Sequence, residues 1–327
     1  MTGRTLSAPL AGFPGVTLTG STVAENLQDG ALQSRTLIAL NKEVDFDIIF
    51  PMMDLTVETE ALGGTVDWKT DEMPTVRGNS VETMDDVNAI VVPKIGDGNR
   101  LNVYVETCEA LRKAFPKKLV WAYVLGPFSI AGRLMGMTEV SIAVKLEPEL
   151  VRAVLRKAND LLTVYVNTLL DTGVDGLMIL EPAAGMLRAD DADEFSNSYV
   201  KEIVNIIKSR GKTPALHNCG NIGHLIENLC ATGIEALHVG SVSDPFAIYP
   251  RLPENVVLMG NIDPTETFLR GTPEEVREAA CRLLDQMADC ERFIISSGCD
   301  VPPGTSIENM KAFERATTCG DCVGAGV

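Results

Sequence analysis

The segment TPALHNCGNIGHLIENLCATGIEALHVGSVSDPFAIYPRLPENVVLMGN, residues 213–261, carries the pattern that decides the fold. Three short apolar runs, TPALHNC (213–219), EALHVGS (235–241) and VVLMGN (256–261), flank an amphipathic stretch at 222–232. Short runs rich in Val, Ile and Leu read as strands buried on both faces, and such strands, separated by helices, pair in parallel. Working outward, the unit recurs. Upstream lie DFDIIFP (45–51), LVWAYVLG (119–126) and GLMILEP (176–182), and downstream lies RFIISSGC (292–299). Helical spacing of apolar residues is expected over 99–115, 149–171, 194–209, 272–289 and 306–317. Seven strands are thus predicted, and an eighth is expected within the first 100 residues. The regular spacing favours a (β/α)8 TIM barrel over an open doubly wound sheet, as does the lack of a glycine-rich dinucleotide loop after an early strand. One domain is expected over 1–327, with a less regular rim excursion within residues 1–100, at 52–100, and a flexible tail at 318–327.

The chain has 327 residues, 45% of them hydrophobic, with 28 basic against 45 acidic side chains and a formal charge of −17. That charge repels phosphate backbones and anionic headgroups, so neither nucleic acid nor a membrane is an expected partner. No apolar run approaches the ~20 residues of a spanning helix. The opening MTGRTLSAPLAGFPG lacks the apolar segment of a signal peptide, so a cytoplasmic setting is expected. There disulfides are rare, and cysteines serve metals, catalysis or packing. Cys108, Cys230, Cys281 and Cys290 lie in or beside amphipathic stretches and read as small buried hydrophobes. Cys319 and Cys322 form a Cys-x-x-Cys in the tail, and without a following βα unit they read as an unliganded end. Cys219 and Cys299 differ, since each follows a strand-like run beside glycine.

Reactive groups of such a barrel sit at the C-terminal strand ends. His217 and Cys219 alternate in extended backbone, where residues i and i+2 point the same way. Cys299 ends the last strand and is expected to meet them across the mouth. One imidazole and two thiolates suit zinc, and three protein ligands leave a fourth position open, as in a catalytic site. The alternative is a hydrogen-bonded rim histidine with incidental cysteines. His224 admits a His-x-Cys-x4-His reading, but its place early in a helix favours a solvated or capping role. His238 reads as a core or rim histidine, and Asp263 as a helix N-cap. Glu181 and Asp54, each after a strand, are candidate catalytic residues that orient a ligand or contact substrate, with capping or structural roles as alternatives. Zinc with two thiolates and a neutral imidazole carries almost no net charge, which fits alkyl transfer to a thiol better than hydrolysis.

The stretches GPFSIAG (126–132), DGLMILEP (175–182), PALHNCGNI (214–222), VVLMGNIDP (256–264) and FIISSGCDVPPGTSIENMKAF (293–313) resemble the uroporphyrinogen decarboxylase superfamily, in its order over about 200 residues. The resemblance implies a (β/α)8 barrel, with Asp54 in PMMDLTVETEALGG (51–64) at the place of the decarboxylases' catalytic aspartate. The chain departs from the decarboxylases in two ways. It lacks their N-terminal arginine motif, and Cys299 stands where they carry Gly-His-Gly. His-x-Cys with a distant Cys resembles instead the cobalamin-dependent, methylcobamide:coenzyme M-like methyltransferase branch. That resemblance implies zinc on His217, Cys219 and Cys299, a pocket-lining Glu181, a methyl-corrinoid co-substrate on a partner corrinoid protein, and a small-molecule methyl acceptor or donor. A thiol such as coenzyme M is the expected acceptor. The demethylating direction, from a methoxy or methylamine donor to cobalt(I), stays open, and a porphyrinogen decarboxylase is the further alternative.

Overall fold

The computed structural model of the protein describes residues 4–96 and 98–318. Eight strands pair entirely in parallel: β1 (Leu6–Ser7), β2 (Ile48–Ile49), β3 (Leu119–Leu125), β4 (Gly176–Leu180), β5 (Thr213–Asn218), β6 (Ala236–Val239), β7 (Val257–Ile262) and β8 (Phe293–Ser297). Their spatial order, β1-β8-β7-β6-β5-β4-β3-β2, brings the first two strands together at one seam. The Asp47 N–H donates to Ser7 O at 3.0 Å across it. The Asp47 carboxylate completes the closure, accepting from the Ser7 N–H at 2.8 Å, the Ser7 hydroxyl at 3.1 Å and both terminal nitrogens of Arg4. The expected (β/α)8 barrel is what the chain forms.

Around it lie helices α1 (Gly30–Glu43), α2 (Leu101–Ala114), α3 (Pro127–Met135), α4 (Pro148–Asp171), α5 (Ser198–Ser209), α6 (Ile226–Ala231), α7 (Pro273–Gln286) and α8 (Ile307–Thr318). Their ends follow local chemistry. Thr272 and Glu275 form a capping box at the start of α7, and Pro occupies the first turn of α3, α4 and α7, where its missing N–H costs nothing. Every residue of β4 is buried, as an apolar strand between helix and barrel interior requires.

The 52–100 excursion holds an antiparallel pair, Thr65–Asp67 with Thr75–Arg77, and the short helices Val57–Ala61 and Met84–Ala89. The eighth strand is only Leu6–Ser7, too short to show a period. GPFSIAG, which no predicted helix covers, is the opening of α3. The α1 helix went unread because Gln33, Ser34, Thr36 and Asn41 are among its buried residues, so no apolar stripe marks it. Among the described residues, no helix is long and apolar enough to cross a membrane. Cys319 and Cys322, and the tail beyond Thr318, lie outside the described residues.

Replacing Asp47 by Ala removes the carboxylate that ties β1 to β2 and leaves the Ser7 N–H and Arg4 without their acceptor. Urea unfolding is expected to show a loss of about 2 kcal/mol, the scale of hydrogen bonds to a charged group. An unchanged midpoint would exclude a closing role for Asp47.

Candidate metal centre

Parallel register sets the site. Leu180, His217 and His238 share one rung across β4, β5 and β6, so the two histidines lie side by side. Cys219 follows the end of β5, and Cys299 lies two residues past β8. Two glycines permit the close approach. A Cβ on Gly240 would collide with the Cys219 backbone, and one on Gly298 would strike Ser241 N, 2.5 Å away, at the end of β6. The donor atoms of His217, Cys219 and Cys299 all lie within 4.8 Å of one another, with Cys299 Sγ 3.7 Å from His217 Nε2. Among the described residues no other three His, Cys, Asp or Glu side chains converge in this way. His217 is buried, while both cysteines are partly exposed towards the barrel mouth.

The electrostatics of this trio suit a cation. The Cys219 thiol is pulled far below its ordinary range, first by its side-chain hydrogen bond with Cys299 and next by the neighbouring His217 ring. The Cys299 thiol is pushed up by its hydrogen bond to Cys219, by burial and by Asp300 beside it. The pair thus sheds one proton readily and holds the second, because two adjacent thiolates repel. A divalent cation between them would relieve that repulsion and let both ionise. Imidazole with two soft sulfurs is a zinc donor set, so the residues present fit the group. His238 stays neutral, its pKa held well below the usual range by burial and by the adjacent His217.

The two carboxylates expected here lie outside the trio and have partners of their own. Glu181, fully buried, accepts from the backbone N–H groups of Phe128 at 3.0 Å and Ser129 at 2.7 Å and from the Ser129 hydroxyl, capping α3 from outside it. Burial outweighs those bonds and raises its pKa to about 7. Asp54 accepts from Thr56 N and Oγ1, each at 2.7 Å, and from Arg100 at 2.5 Å. Arg100 also binds Glu60 at 2.6 Å and lies over the Trp68 ring. His224 sits apart from the trio, 2.9 Å from Leu187 O, and Asp263 caps its helix as expected. Cys108, Cys230 and Cys290 are free thiols with pKa values raised chiefly by burial. Cys281 is buried in the hydrophobic core, as read, and its thiol is disulfide-bonded.

Residues 15–318 match the family model described as uroporphyrinogen decarboxylase (URO-D). The chain belongs to the uroporphyrinogen decarboxylase family. Relatives at 26% identity within and around this family carry different names. One is the methylcobamide:CoM methyltransferase MtbA of Methanosarcina acetivorans, matched over 82% of this chain and 78% of that protein. Another is a methylated-thiol–coenzyme M methyltransferase of Methanosarcina mazei, over 81% and 71%. A third is the uroporphyrinogen decarboxylase of Chlorobium phaeobacteroides, over 82% and 78%. A solved methyltransferase from Methanosarcina mazei superposes with a TM-score of 0.86 at 21% identity, covering 97% of this chain and 94% of its own, which shows the same fold.

Sequence reading missed Glu58, in the helix after Asp54. It lines a small cavity with Asp54, Tyr104, Tyr123 and Tyr165, where Glu58 Oε2 and the Tyr104 and Tyr123 hydroxyls lack hydrogen-bond partners among the described residues. The only sequence signal was an acidic residue in an irregular stretch. Burial raises the Glu58 pKa to about 7, against the Leu125 N–H donated to it, with Asp54 raising it further and Arg100 opposing. A carboxyl that binds its proton more tightly when folded loses stability as pH rises between the unfolded and folded pKa values. Wild-type stability should therefore fall from about pH 4.5 to about pH 7, and Glu58→Gln should remove the share of that fall due to Glu58, leaving the share due to Glu181. The variant's advantage at about pH 8 over about pH 4 is expected to reach about 3 kcal/mol in urea titrations. Parallel pH profiles for the two proteins would refute the buried-carboxyl assignment.

Proposed function

We propose that the chain is a corrinoid-dependent methyltransferase that holds zinc on His217, Cys219 and Cys299. It moves a methyl group between the corrinoid of a separate partner protein and a small molecule, with a thiol as acceptor. The observation that carries this reading is the convergence of one imidazole nitrogen and two sulfurs within 4.8 Å at the barrel rim. The names of the methyltransferase relatives give it further support.

Zinc bound there would lower the pKa of an incoming thiol and keep it a nucleophile at neutral pH. The chain's own groups do the rest. Two thiolates and a neutral imidazole balance a divalent charge, which leaves an arriving sulfur electron-rich. The partly exposed sulfurs leave the mouth side open to a methyl donor, while the buried His217 side excludes water. Glu181 and Asp54 support the walls, the first by holding the start of α3 and the second by fixing Arg100. A porphyrinogen decarboxylase gives no role to the cysteine pair.

Elemental analysis of the purified chain should find about one zinc per polypeptide, and Cys299→Ser should lose most of it. Methylcobalamin with a panel of thiols should yield methylated thiol and cobalt(I). In the variant this rate is expected to drop roughly 100-fold or more, the scale of losing a ligand or its support. Turnover only from cobalt(I) cobalamin with methoxylated or methylated-amine donors would reverse the direction. Wild-type protein that neither takes up zinc nor transfers methyl in either assay would overturn the proposal.

A further inference from the structure

Behind His217, away from the sulfurs, a line of polar groups crosses the barrel interior. His217 Nδ1 lies 2.8 Å from His238 Nδ1, His238 Nε2 lies 2.9 Å from Ser296 Oγ, and Ser296 Oγ lies 2.7 Å from Ala8 O. All of these groups are buried, His238 and Ser296 completely. Resting on the metal reading above, we infer that His238 and Ser296 are positioning residues that fix which nitrogen of His217 is free to bind the metal.

The direction of every proton follows from the far end. Ala8 O is a carbonyl and only accepts, so the single Ser296 hydroxyl proton lies between the two oxygens, which would repel without it. Ser296 Oγ is then the acceptor for His238, and His238 Nε2 carries a proton. The His238 ring is wholly enclosed, with Nε2 against Ser296 and Nδ1 against His217, so the neutral ring protonated on Nε2 presents the lone pair of Nδ1 to His217. That lone pair takes the His217 Nδ1 proton. The remaining nitrogen, His217 Nε2, keeps its lone pair, and this is the atom 3.7 Å from Cys299 Sγ. Reversing the line would place a proton on Nε2 and remove the third ligand. A metal-binding histidine commonly donates its other N–H to a carboxylate, a backbone carbonyl or water. Here a second imidazole takes that place, held by a serine that the backbone of β1's end orients.

The line spans β5, β6 and β8 and ends just past β1, so the barrel's own strand order sets it. Met259 of β7, beside His238 in register, contributes no hydrogen bond to it. Ser296→Ala removes the acceptor that orders His238, and Ser296→Thr restores a hydroxyl at the same position.

The test uses the full chain, with and without added zinc. The chain contains three histidines, so nitrogen-15 labelling of histidine resolves each ring. In wild-type protein stripped of metal, His217 is expected as the Nδ1–H tautomer and His238 as the Nε2–H tautomer. Zinc should then shift His217 Nε2 alone. Competition with a chromophoric chelator should give a zinc affinity about 10-fold weaker or more for Ser296→Ala and near wild-type for Ser296→Thr. Thermal unfolding confirms that both variants are folded. The inference is overturned if His217 carries its proton on Nε2, or if a folded Ser296→Ala binds zinc as tightly as the wild type. Wild-type protein that shows the expected tautomers but binds no zinc would defeat the metal reading and leave the hydrogen-bond line standing.

Discussion

Because β5 runs parallel to both of its neighbours, with Leu180, His217 and His238 on one rung, the chain leaves every barrel strand at the same rim. His217 and Cys299, 82 residues apart, meet there without a long loop. The approach is closer than side chains at Gly240 and Gly298 would allow, so those two positions let the ends of β5, β6 and β8 crowd together. The seam at Asp47 closes the ring that makes "across the mouth" a short distance. An open sheet would hold β1 and β2 at opposite edges.

Packing polar groups inside a barrel is costly unless each finds a partner. The interior behind the rim meets this with hydrogen-bonded groups in series, from His217 through His238 and Ser296 to Ala8 O. The carboxylates are kept out of that line. Glu181 turns to the N-terminal end of α3, and Asp54 to Arg100. The two thiols are the exception, since they share a site without a cationic side chain and cannot both ionise by themselves. Repulsion between them, to which Asp300 beside Cys299 adds, is what makes a divalent cation the natural complement.

The barrel was legible because β3 to β8 are apolar runs long enough to show a buried-strand pattern. The convergence of His217, Cys219 and Cys299 was legible for a related reason, since alternation along β5 and just past its end points His217 and Cys219 the same way. What stayed hidden depends on partners distant in the chain. Leu6–Ser7 is a strand only because β8 and Asp47 bond to it. The α1 helix buries polar residues whose partners lie elsewhere, such as Gln33, which bonds Asn26 O and the Met52 N–H. Glu181 looked like a rim carboxylate, and its capping of α3 could be seen only once GPFSIAG was known to be helical. His238 read correctly as a barrel histidine, but its place beside His217 is a matter of register, which no single strand reveals.

A shared barrel does not carry a shared reaction, and relatives of this chain bear the names of methyltransferases and decarboxylases at equal identity. The argument for function therefore has to come from the rim. Asp54 is locked to Arg100 and Thr56, which leaves it few lone pairs for a substrate. The groups with unspent bonding capacity at the mouth are two sulfurs and one imidazole nitrogen, and they consume the whole charge of a divalent ion. Water on such an ion is a weak acid, whereas a thiol, acidic to begin with, is fully ionised and stays electron-rich. On the proposed metal reading, the donor set would select the substrate atom, sulfur over oxygen, before any loop around the mouth selects the molecule that carries it.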